Sequence, residues 1–355
     1  MKYVIPFNNF SINEMVGVAE ATLIYNDFIL NLFNEYLTEF LESDESKYRK
    51  GRTYTDYDLS EIIKDKLWPK MPISSILLEF SFSKITDDEF KKKYPVTSKI
   101  KNYNGSGGCY PILNEIDQQG SYITDPIDDR APQTIHLRLE IGAIISDSFN
   151  ENNIEGLLLE TESSITHELN HAYEGWKRIT SGAGIISTDV TWALDVNRSK
   201  IRKDIWKYWT DHIATYLYWS EKHEVNAMTQ EAWPYVKRYD VLQMKSSCPA
   251  WRYADDMTKF KADKFKSELY RIIKDAYPDA KPELIVTRMK SGFANQLIKS
   301  REESIGSNEN APSISGKKVN DMTLDEFLKY SEVRVNLAGE KLKRRILKLY
   351  SLKIK

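Results

Sequence analysis

His167-Glu168-Leu169-Asn170-His171 stands inside a stretch, Ile154 to Ile179, whose apolar residues recur at helical spacing. Positions four apart share one face of a helix, so the two imidazoles can converge on a single tetrahedral metal ion. Glu168 then projects beside that ion, placed to take a proton from a water. At about 100° per residue, Leu158, Ile165, Leu169, Ala172 and Trp176 gather on the other side of the helix. That stripe is enough to anchor the helix, which leaves the histidine face to line a cleft. Few folds satisfy both demands on one helix, and this stretch constrains the chain more than any other.

Around it the chain alternates in character. Ser11 and Glu14 fit a capping box ahead of a helical pattern that runs to Leu41. Ile73 to Phe82 is a dense apolar run, and Thr134 to Ile141 alternates polar and apolar; both read as strands. The second strand reads as an exposed sheet edge able to pair with an extended peptide. Between them, Asn104-Gly105-Ser106-Gly107-Gly108 carries the residues of a turn. The rest is helical in pattern: about 204–238 with Pro234 as a kink or stop, 255–276, 282–300, and Thr323 to the C-terminus. Ser304 to Val319 reads as a linker or mobile loop.

Composition narrows the function classes. Fifty Lys and Arg against 52 Asp and Glu leave a net charge of −2, so no overall field draws the protein to nucleic acid or an anionic membrane. Two cysteines, Cys109 and Cys248, cannot make a disulfide framework or a structural zinc knuckle. The N-terminal residues do not form a secretory signal, and Met15 to Phe33 is broken by charged and amide residues, so no membrane span is expected. The expected location is cytoplasmic, or virion-associated if the chain is phage-encoded. The basic, amphipathic run Lys341 to Tyr350 would either meet a partner or dock by its Leu/Ile stripe.

A catalytic metal site needs a third protein ligand and an open position. The metzincin extension would place Gly and His where this chain has Glu174 and Lys177, so the ligand must come from elsewhere. Downstream stands Glu224-Val225-Asn226-Ala227-Met228. The pairing of H-E-x-x-H with this E-x-N-A-apolar segment resembles the ImmA/IrrE-like metallopeptidases and, more broadly, the gluzincin class of zincins. The resemblance covers these two short motifs, and Val225 stands where the family usually has Ala. It implies a zinc ion held by His167, His171 and Glu224, with Glu168 as the catalytic carboxylate. Glu221 is the next choice for the third ligand, followed by Asp211, His212 and His223.

The expected architecture is therefore α+β. A zincin-like domain over residues 1–240, with a small mixed or antiparallel sheet, would carry the active-site helix at about 154–179 and the third-ligand helix at about 204–238. A largely helical region over 241–355 would follow, with its mobile segment near 304–319. The expected function is zinc-dependent hydrolysis of peptide bonds in a peptide or protein substrate. Its rival is a structural or assembly protein, for example virion-associated, on the same scaffold with a vestigial or stabilising metal site and partners on the C-terminal helices. Glu160 and Glu174 are candidates to orient an imidazole, and Tyr216, His223, Tyr235 and Arg238 to stabilise an oxyanion.

Overall fold

A computed structural model describes residues 28–43, 51–56, 73–95, 101–112, 135–180, 202–291, 313–314, 317–318 and 321–353. Its architecture is mixed α+β: among the described residues there are a four-stranded sheet, a two-stranded ladder and a majority of helix. Contacts divide the chain into two compact units: residues 1–180 with 230–238, and residues 181–229 with 239–355. In this division residues 181–229 group with the helices after Tyr239.

The first unit is built on a four-stranded sheet of order β1-β2-β4-β3, where β1 is Arg52–Asp56, β2 Ile73–Ile85, β3 Tyr103–Ile112 and β4 Ile135–Ser146. β2 and β4 run parallel, and the two outer strands pair antiparallel to them, so the sheet is mixed. Two expectations are corrected here. The alternating strand is not an edge: β4 is flanked by β2 and β3. The glycine-rich segment is not a turn but β3, the outer strand beside β4.

Alternation puts Leu78, Phe80, Phe82, Leu139, Ile141, Ala143 and Ile145 on one buried face of the sheet. Helix α1, residues 28–42, lays Ile29, Phe33, Leu37 and Phe40 on that face, with the Phe33 ring 5.1 Å from Phe82 and 5.7 Å from Phe80. The short helix α2, Asp87–Lys93, is set by a Thr86–Glu89 capping box.

Helix α3, Glu151–Thr180, packs on the same face through Leu157, Ile165 and Leu169. Asn150 accepts from the Asn152 amide at 3.0 Å, and Asn153 accepts from the Asn150 amide at 2.9 Å, which satisfies donors at the start of this helix. The glycines of β3 explain its closeness to α3. A Cβ on Gly107 would sit 3.2 Å from Ser164 Cβ and one on Gly105 would sit 3.5 Å from Glu160 Cγ. Bare backbone therefore lies flush on the helix, and that gain in packing outweighs glycine's poor strand propensity.

The second unit is helical, apart from a two-stranded ladder of Ser313–Ile314 with Lys317–Lys318 that falls in the expected mobile segment. In place of one helix over 204–238 there are four helical pieces. These are α4 (Lys203–Trp209) continuing through a π-helical turn (Thr210–Ala214) into α5 (Thr215–Trp219), then α6 (Lys222–Glu231) and α7 (Trp233–Arg238). Ser220 closes α5, its hydroxyl donating to the Leu217 carbonyl at 2.6 Å, and Pro234 cannot donate a helical hydrogen bond, which separates α7 from α6. The last two residues of α6, Gln230 and Glu231, with α7, count with the first unit.

Four helices follow: α8 (Val241–Ser247), α9 (Pro249–Lys259), α10 (Ala262–Ala276) and α11 (residues 282–291). The break between α9 and α10 comes from extended backbone at Phe260 and Lys261, where one continuous pattern was expected. The chain then runs into α12, Leu324–Lys353. Trp209, Phe265 and Phe327 form the aromatic centre of this unit. The basic run is docked: Leu342, Ile346, Leu349 and Tyr350 are buried, and Lys343 donates to Asp255 at 2.8 Å and Thr258 at 2.9 Å. Among the described residues no helix is long and apolar enough to cross a membrane.

Candidate metal centre

Helix α3 presents His167 and His171 on the side away from its buried Ile165 and Leu169, while Glu168 turns toward β3. One turn separates the two histidines, and their Nε2 atoms come within 3.0 Å of each other. A tetrahedral ion about 2.0–2.1 Å from each nitrogen would hold such a pair roughly 3.3 Å apart, so the spacing is close to that of two imidazoles sharing one ion. Two lone pairs aimed at the same point repel unless a proton or a cation lies between them.

His167 is fixed from behind. Its Nδ1 lies 3.0 Å from the Glu231 carboxylate, and both side chains are largely buried. A carboxylate only accepts, so Nδ1 carries the proton and Nε2 keeps the lone pair that a metal needs. Glu231 is itself held in place, because Ser163 Oγ donates to its backbone carbonyl at 2.9 Å. Lys237 and Arg238 of α7 then pair with the buried Glu162 carboxylate at 3.3 and 3.0 Å. Three residues of α3, Glu162, Ser163 and His167, thus grip one short stretch of chain.

Seven residues before Glu231, and so two turns back on the same face of α6, stands Glu224. It is 1 % exposed, and its carboxylate lies 3.3 Å from His223 Nε2. One ligand atom each from His167, His171 and Glu224 can be chosen so that all lie within 4.8 Å of one another. Two imidazole nitrogens and a buried carboxylate oxygen are donors that divalent ions of borderline softness accept, and the dication would offset the cost of burying the charge. The group could hold a metal ion.

Glu168 follows His167 on α3 and turns toward β3. Its Cγ is 3.5 Å and its Oε1 3.8 Å from where a Cβ on Gly107 would be, so the carboxylate rests against the outermost strand of the sheet. A larger residue in place of Gly107 would press on it.

His223 stays beside Glu224, and several other candidates are engaged elsewhere. Glu221 pairs with Arg334. His212 stacks on Tyr208 with ring centroids 4.2 Å apart, and its Nδ1 lies 2.9 Å from the Tyr208 carbonyl. Glu160 pairs with Lys101, two residues ahead of β3. Arg238 is committed to Glu162, and Tyr216 lies among Trp219 and Phe260. The side chain of Glu174 lies outside the described residues. Sequence reasoning missed Glu231, the partner of His167; its only signal was the seven-residue spacing from Glu224 along one helix.

No family model, curated protein or solved structure matches this chain. The chemistry open to the site follows from its own donors and their neighbours.

Proposed function

We propose that this chain is a zinc-dependent peptidase of zincin type, with His167, His171 and Glu224 as the metal ligands. The observation that carries the reading is the convergence of the two Nε2 atoms, 3.0 Å apart, on a group that includes the buried Glu224 carboxylate. Two nitrogens and one carboxylate leave a fourth position open, as a hydrolytic zinc site requires. When bound, zinc lowers the pKa of a water to about 7 and polarises a carbonyl.

The chain's own residues supply the rest. Glu168 accepts a proton from water on a carboxylate oxygen and delivers it to the departing amine nitrogen. Glu231 holds the proton on His167 Nδ1 and so keeps Nε2 available for metal. Beside Glu168, β3 is the outer strand of the sheet among the described residues, and its free edge would offer backbone N–H and C=O groups to an extended peptide.

The test is Glu168→Gln. The variant should keep its metal and lose cleavage of casein by about 10²–10⁴-fold, while a chelator silences the wild type. Turnover retained by the variant would remove Glu168 from its role. A wild type that holds zinc and cleaves nothing would favour the scaffold reading.

A further inference from the structure

We infer that the C-terminal helix α12 is a positioning element for Glu224, acting through Arg334 and Arg345; this rests on the reading of Glu224 as a metal ligand.

The two arginines reach α6 at points on either side of Glu224. Arg334 donates from Nε to Ser220 Oγ at 2.8 Å, and its guanidinium pairs with Glu221, at the joint where α5 ends and α6 begins. Arg345 donates from its guanidinium to Asn226 Oδ1. Asn226 follows Glu224 by two residues, which is roughly 200° around a helix, so Arg345 holds the side of α6 turned away from the carboxylate. On α12 the arginines are about three turns apart and nearly in line, which matches two grips on one short helix.

The grip is only as firm as α12 itself, and α12 is firmly seated. A Cβ on Gly339 would stand 2.8 Å from the Ala254 carbonyl and 2.9 Å from Met257 Cβ, so α12 meets α9 at backbone contact. Val335, Leu342 and Ile346 are buried along the same helix. By contrast α6 has only ten residues and follows a break in the chain at Ser220 and Glu221. A planar guanidinium fixes direction as well as distance, which an ammonium does not. The Asn226 of the E-x-N-A segment thereby acquires a physical role, as the handle by which the carboxylate two residues earlier is aimed.

The test compares Arg345→Ala, Asn226→Ala, the double variant and Arg345→Lys in the full chain. Zinc affinity would be read by chelator competition, ligand geometry by the visible spectrum of the cobalt(II) form, and folding by thermal melts. Each single alanine variant should weaken zinc about 10–100-fold and alter the cobalt spectrum while melting within a few degrees of wild type. The double variant should be no weaker than the weaker single, and Arg345→Lys should recover part of the loss. If Arg345→Ala fails to fold, Asn226→Ala carries the same expectation. Wild-type affinity and spectrum in the single variants would overturn the positioning role, as would losses that only track the melting midpoint. A wild type that takes up neither metal would overturn the site itself.

Discussion

His167 Nδ1 and the Glu231 carboxylate stand 3.0 Å apart across two helices, with Ser163 tying down the Glu231 carbonyl at 2.9 Å. This pair decides which ring nitrogen of His167 carries the proton and which way the ring turns, as the proposed ligand role requires. Glu231→Ala should therefore weaken zinc binding about 10–100-fold, and Glu231→Gln less, since an amide oxygen still accepts from Nδ1–H. Chelator competition measures both. Affinities equal to wild type would show that the pair does not orient the ring.

The two β3 glycines separate packing from function. A Cβ at Gly105 would make an ordinary 3.5 Å contact with Glu160, whereas at Gly107 it would stand 3.2 Å from Ser164 and 3.5 Å from Glu168 Cγ. Gly105→Ala should leave turnover within about twofold. Gly107→Val should lower kcat between about tenfold and 100-fold by displacing the carboxylate, beside an overpacking cost of about 1–3 kcal/mol. Steady-state kinetics with a urea melt distinguishes the two; equal effects from both substitutions would contradict this placement of Glu168.

Alkaline pH should destabilise the second unit through Tyr216. Burial, helped by the charge of Asp256, pushes its phenol up to about 12. Between pH 10 and about 12 the unfolded chain loses this proton and the folded chain keeps it, so the contribution is complete below pH 10 and is lost as the pH rises. Tyr216→Phe should show a shallower fall in melting midpoint over that window than wild type. Parallel curves would assign the alkaline loss to other groups.

How much of this was legible in the sequence varies by residue. Helix α3 and strands β2 and β4 are strongly periodic, and periodicity reports local structure directly. His167, Glu168 and His171 carry their geometry in their spacing, and the E-x-N-A resemblance pointed to Glu224. Asn104 to Gly108 misled because each residue locally favours a turn, while the strand is imposed by the need for bare backbone against α3. Glu231 was hidden because its role depends on a partner 64 residues away, which no local pattern reveals. The basic residues of α12 likewise name no partner in the sequence, whereas in the structure Arg345, Lys343 and Arg334 meet Asn226, Asp255 and Glu221.

The most direct measurement is the zinc content of the purified full chain, by elemental analysis, with His171→Ala alongside. About one zinc per chain, lost in the variant, is the expected result. A folded wild type that takes up no zinc even when it is supplied would contradict the assignment of His167, His171 and Glu224 as a metal centre.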